Sequence, residues 1–207
     1  MSDHGIELYP HNREAYDKLC ILLEKYRKAC VIHPTGTGKS FIAFKYLEDN
    51  PHKKVLWVSP SDTIFYVQIK NLYKATDTVI AAGIEGRIKY MTYPALLKVK
   101  NFNRMEKRDV IVLDEFHRCG ARKWGKAIEK LMAANKDAVI IGLTATHIRY
   151  LDNHRNMAEE NPFFVDDLSP PSDPCLALNA SALHTIDETM RASPATIIAM
   201  LPCFLTA

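Results

Sequence analysis

Three short stretches hold side chains whose types and spacing suit phosphate chemistry. The first is His33-Pro34-Thr35-Gly36-Thr37-Gly38-Lys39-Ser40. Gly36 and Gly38 let the backbone turn tightly and leave no side chain between its amides and an anion. A helix opening at this point adds its free N–H groups and the positive end of its dipole. Lys39 can then reach β- and γ-phosphates, and the Ser40 hydroxyl can ligate Mg²⁺. His33 stands where the usual pattern has its first glycine, so Pro34 and Gly36 must make the turn. The second stretch, Val110-Ile111-Val112-Leu113-Asp114-Glu115-Phe116-His117, is an apolar run ending in two carboxylates. Asp114 suits a Mg²⁺ ion, held directly or through water, and Glu115 suits activation of an attacking water. The third, Gly142-Leu143-Thr144-Ala145-Thr146, offers hydroxyls at i and i+2 that can bond a carboxylate or the imidazole of the Asp114–His117 stretch. Each stretch has a plainer reading, as a small-residue turn, a solvated acidic pair at a helix start, or a threonine cap. Their joint occurrence argues for one nucleotide site.

These residues need a scaffold that brings them together. Apolar runs at 29–32, 54–59, 77–82, 109–113 and 138–143 read as strands, with a further strand over 87–92. Between them lie helical patterns. Asn12 to Tyr26 places Ala15, Leu19, Leu22, Leu23 and Tyr26 on one face, with Asn12 as its N-cap. The helix after Ser40 buries Ile42, Ala43, Tyr46 and Leu47. Ser61 or Asp62 caps a helix that turns Phe65, Ile69 and Leu72 inward. Pro94 to Lys98 is a short helix with proline at its start, and 124–134 buries Ile128, Leu131 and Met132. Continuous apolar strands alternating with amphipathic helices predict an α/β fold, a mainly parallel sheet with helices on both faces. Ligands in such folds sit beyond the carboxyl ends of the strands. Lys39, Asp114 and Thr144 all lie just past strand ends.

The 207 residues suffice for one sizeable domain and are short for two. A net charge of +3 neither demands nor excludes a nucleic acid partner. The five cysteines form no C-x-x-C pair and read as free thiols of a reducing compartment. The polar N-terminus has no apolar signal core. The apolar stretch over 195–207 is too short for a bilayer span and is broken by Pro202. A cytoplasmic protein without membrane attachment is the expectation. After Lys136 lysine disappears, and 168–174 is a cluster of breakers. The expected division is therefore 1–160 as the nucleotide-binding domain and 161–207 as a linker and poorly defined appendage outside the sheet.

The order of motifs resembles the superfamily-two helicases and translocases, specifically the DExH-type group that includes restriction-enzyme motor subunits. The resemblance covers roughly Leu8 to Asn161 and rests on PTGTGKS, VLWVSPSDTIFYVQ, IKYMTYPALL, VIVLDEFH and GLTAT, in that order. It implies a RecA-like P-loop lobe that hydrolyses ATP with Mg²⁺ in concert with DNA or RNA, DNA being favoured. Lys39, Ser40, Asp114 and Glu115 would take the roles argued above. His117, Thr144 and Thr146 would couple hydrolysis to strand movement. Ser59, Pro60, Ser61, Gly83, Thr92 and Tyr93 match positions that touch the nucleic acid backbone. Leu8 to Asn12 is similar to the adenine-recognising segment, with Asn12 in place of the usual Gln. The sequence departs from the pattern in three further ways: Asp62 replaces an arginine, His147 replaces a proline, and no motif of a second RecA-like lobe follows.

The reading favoured by the sequence is the ATP-binding first lobe of a nucleic-acid-dependent ATPase, truncated or incomplete without a second lobe supplied in trans. The alternative is a non-catalytic nucleotide- or nucleic-acid-binding module that partners a separate lobe. A small-molecule P-loop kinase would leave DEFH and TAT as coincidences.

Overall fold

The computed structural model describes residues 5–145, 148–149, 155–156 and 196–199. Five parallel strands form the sheet: β1 (Lys28–Ile32), β2 (Val55–Ser59), β3 (Ile88–Thr92), β4 (Val110–Asp114) and β5 (Val139–Thr144), in the order β3-β2-β4-β5-β1. Two short strands, β6 (Ile148–Arg149) and β7 (Arg155–Asn156), pair with each other. A sixth strand of the main sheet, β8 (Thr196–Ala199), runs antiparallel along the free edge of β1, with Thr196 opposite Ile32. Part of the expected appendage is thus sheet; the rest of 161–207 lies outside the described residues.

The apolar runs supply two cores at once, because alternate residues of a strand point to opposite faces. Val55, Trp57, Val110, Val112, Val139, Ile141 and Leu143 pack under α1 (Pro10–Tyr26), α2 (Lys39–Asp49), α3 (Asp62–Ala75) and α4 (Thr78–Glu85). Leu56, Val58, Ile111, Leu113, Ile140 and Cys30 pack under α5 (Tyr93–Leu97) and α6 (Arg122–Ala134). With both faces covered, the strands need no polar side, so they read as continuous apolar runs.

Two sequence-based expectations are corrected. Residues 77–82 are not a strand but the start of α4. Asp77 caps that helix by accepting a hydrogen bond from the Val79 amide at 2.7 Å, and Ala81 and Ile84 face the core at helical spacing. A six-residue apolar run fits a strand or a buried helix equally, and here the cap decides. Asn12 is not an N-cap: the helix opens at Pro10, whose ring presets the first turn, and Tyr9 is the cap residue. Of the two cap candidates Ser61 and Asp62, Ser61 caps α3, and the Thr92 hydroxyl caps the helix that carries Pro94.

Candidate nucleotide site

Parallel register brings the three motifs to one rim. Ile32 lies opposite Thr144, and Leu143 opposite Asp114, with β5 between β1 and β4. The P-loop strand and the acidic strand are therefore two strand spacings apart, roughly 10 Å. That gap leaves Thr144 midway between them.

The loop itself is held from two sides. Gly36 and Gly38 have φ of 83° and 84°, where side chains are disfavoured, and a Cβ on Gly38 would also meet the Asn12 amide nitrogen at 3.1 Å. From α1, Asn12 Nδ2 donates to the Thr37 carbonyl at 2.8 Å, and His11 Nε2 lies 3.3 Å from the same oxygen. Within the loop, Thr37 Oγ1 and Lys39 Nζ both donate to the Pro34 carbonyl, at 2.8 and 3.2 Å. Thr35 is exposed, and Ser40 stands half-buried on the first turn of α2. Burial lowers the Lys39 pKa, while the negative charges of Glu115 and Asp114 oppose that shift.

Asp114 is 3 % exposed and tightly held. Gln68 Nε2 donates to its Oδ2 at 2.9 Å and Ser59 Oγ to the same oxygen at 3.2 Å, while the Glu115 amide donates to Oδ1 at 3.1 Å. Burial, with Glu115 adding to it, raises the carboxyl pKa, and the Gln68 and Ser59 bonds work against that rise. Gln68 was not singled out in the sequence. It reaches Asp114 from α3, and only the fold shows that the position about two turns beyond the cap lies beside that carboxylate.

Glu115 adopts the left-handed conformation, φ 51° and ψ 51°, without being glycine. Such a conformation costs of order 1–3 kcal/mol and is found at functional sites. It reverses the chain so that Phe116 drops into the core against Gly142, where a Cβ would meet Phe116 Cγ at 3.2 Å and Cys30 Sγ at 3.1 Å. The next residue, His117, then places Nδ1 2.9 Å from Thr144 Oγ1 and 3.3 Å from Glu115 Oε2. The threonine–imidazole pairing expected from the sequence is present for Thr144; Thr146 lies outside the described residues.

The residues matched to nucleic-acid positions divide. Ser59 is buried and bonded to Asp114, and Tyr93 is buried with its hydroxyl donating to the Asp114 carbonyl at 2.8 Å. The Ser59 hydroxyl is thus turned toward the Asp114 carboxylate, while Tyr93 is packed in the core, stacked on Trp124 with ring centroids 5.5 Å apart. The Ser61 and Thr92 hydroxyls cap α3 and α5, and Pro60 is half-buried between them at the carboxyl end of β2. Gly83 does not belong to the rim. It lies in α4, and its carbonyl accepts from Arg87 at the start of β3, the opposite edge of the sheet.

This is a RecA-like lobe, with a glycine-turned Lys39–Ser40 loop on one strand end and an Asp-Glu pair two strands away. The chain belongs to the family described as type III restriction enzyme, res subunit, whose model matches residues 5–149. No curated protein matches it. Among solved structures it is similar to the SWI2/SNF2 ATPase core of Sulfolobus solfataricus in complex with dsDNA, with a TM-score of 0.54 and 19% identity over 70% of this chain and 34% of that one. It is also similar to the ATP-dependent type ISP restriction-modification enzyme LlaBIII bound to DNA, with a TM-score of 0.51 and 18% identity over 69% of this chain and 13% of that one. The chain thus spans about a third of the first relative's length and less of the second's. Fold and family together define the first lobe of a superfamily-two helicase or ATPase. Among the described residues no helix is long and apolar enough to cross a membrane.

Proposed function

We propose that the chain binds Mg-ATP at this rim and hydrolyses it as one half of a nucleic-acid-dependent motor. The observation that carries the reading is the strand register that sets the glycine-turned loop and the Asp114–Glu115 end two strands apart on one rim. Pro34 to Ser40 would cradle the phosphates, with Lys39 on the β- and γ-oxygens. The residues fit Mg²⁺, a hard cation that prefers oxygen ligands and is commonly held by one carboxylate together with substrate phosphates. Ser40 and Asp114 would hold it, and the metal would supply charge neutralisation to the phosphates. The Asp114 oxygen that accepts only the Glu115 amide leaves capacity for a metal or its water. Glu115 would orient and deprotonate the attacking water. His117 and Thr144 would sense that event, since both Glu115 Oε2 and Thr144 Oγ1 lie near Nδ1. Tyr9, 70 % exposed and stacked on His11 with ring centroids 5.8 Å apart, offers a flat surface to a base next to the loop. Asn12 Oδ1, buried without a hydrogen-bond partner, is an acceptor still available there.

Phosphoryl transfer in related NTPases gains on the order of 10³–10⁵ in rate from an arginine finger supplied across a cleft. Both neighbours are far longer than this chain, and the motifs of a second lobe are missing from the sequence. We assign that arginine to a second RecA-like lobe facing this rim across a cleft, and DNA as the favoured polynucleotide. Isothermal titration with ATP and Mg²⁺ tests the site. Lys39→Ala should abolish heat of binding, whereas Glu115→Gln should retain it and lose residual hydrolysis. Unchanged binding by the Lys39 variant would overturn the assignment.

A further inference from the structure

The weak net charge of the chain hides a strong segregation. On α6, Lys123, Lys126 and Lys130 are exposed and lie within one narrow arc, opposite the buried Ile128 and Leu131. None of the three takes part in an ion pair among the described residues. The stripe descends from the nucleotide rim toward the opposite edge of the sheet. There it meets an open cleft of about 410 Å³, formed where 107–109 leads into β4 and 133–138 leads into β5. That cleft adds Lys107, Arg108 and Lys136. Lys107 Nζ donates to the Ala134 carbonyl, so the negative helix end faces a cation. Arg104, exposed, belongs to the short turn packed on α6. The acidic groups nearby are few. Glu106 is engaged by Lys54 and Arg108, Asp109 accepts from the Lys54 amide, and Glu129 and Asp137 remain. By contrast, α1 and α2 carry mixed signs joined in pairs such as Lys18–Glu14 and Lys45–Asp49.

We infer that the outer face of α6 and the cleft at its end form a docking surface for the phosphate backbone of duplex DNA, separate from the strand-end rim. The identity of the polyanion rests on the proposed function above; the surface does not. Three residues on one helix at i, i+3 and i+7 give a straight line of charge with steps of about 4.5 and 6 Å. From Lys123 to Ala134 the path is roughly 16 Å, and a duplex with one charge per ~1.7 Å of axis sets about nine phosphates along it. A regular line of lysines with no hydrogen-bonding fork between them recognises a uniform charged rail and reads no bases. It would hold the duplex against the flank of the lobe while the rim works on it.

The test is anisotropy of a labelled 20-base-pair duplex with the full chain between 50 and 200 mM salt. Lys126→Glu/Lys130→Glu should weaken binding at least tenfold at the lowest salt and reduce the slope of log K against log salt by about 2. Lys70→Glu/Lys74→Glu on α3, with the same change in net charge, should do much less. Equal effects from the two pairs, an unchanged slope, or displacement of the duplex by polyglutamate at equal charge would each overturn the surface. Thermal shift by Mg-ATP is read on the same proteins. If the wild type shows none, the nucleotide site fails while the docking result stands by itself.

Discussion

His33 carries an imidazole that is 1 % exposed, with both ring nitrogens buried and unpartnered. Burial, then the nearby His11 and Lys39, pushes its pKa down to about 4. Such a group is neutral in the fold and takes up a proton on unfolding near pH 6.5, so the unfolded state binds more protons between those values. Stability must then rise with pH across that window and fall on acidification. The linkage at pH 5 amounts to about 2 kcal/mol. Urea unfolding at pH 7.5 and pH 5.0 should show that loss in the wild type, and His33→Gln should reduce it by the same amount. Identical pH profiles would mean the ring finds a partner. The same residue explains why a glycine is dispensable at the start of this loop. Its backbone amide donates to the Thr144 carbonyl at 3.0 Å, extending the β1–β5 ladder by one rung, and the turn begins only at Pro34.

Elements are tied together by a residue with no catalytic signature. Arg87 sends one guanidinium to four carbonyls: Gly83 at the end of α4, Leu47 and Asn50 at the end of α2, and Lys53 before β2. Three of these carbonyls, those of Gly83, Leu47 and Asn50, lie at helix ends, where main-chain acceptors outnumber donors. Arg87→Ala should cost about 2–4 kcal/mol in denaturant unfolding, because several half-buried acceptors lose their donor together. Arg87→Lys should recover little, since a point charge cannot replace a planar fork. Sequence reasoning placed Arg87 at a strand start and saw nothing else in it. It succeeded where an element announces itself by period or cap, as in β4, β5, the Ser61 helix and α6. It failed at 77–82, where apolar content alone could not separate helix from strand, and carried Gly83 to the wrong edge of the sheet as a result. Gln68 and the inward turn of Ser59 and Tyr93 escaped for another reason. Each depends on a neighbour about 20 to 55 residues away, and nothing local in the sequence marks that contact.

At the scale of the whole lobe, the three motifs gather on one rim of the sheet. Helices seal both faces, and β8 lies along β1, the strand edge next to the loop. An unpaired edge there would be a template for another chain. The rim stays open: Lys39, Asp114 and Glu115 face it from one side only, and no described arginine is bonded to them. On the proposed function, such a site would bind a magnesium-bound triphosphate and hydrolyse it slowly, because charge developing in the transition state would be neutralised on one flank. Millimolar Mg-ATP should therefore raise the melting temperature of the purified chain while single-turnover hydrolysis stays slow, with or without duplex DNA. Fusing a second RecA-like lobe that brings an arginine across the rim should accelerate hydrolysis by orders of magnitude, toward the ~10³–10⁵ seen for such fingers. Brisk DNA-stimulated turnover by the monomeric chain would show instead that the catalytic constellation is complete within one lobe.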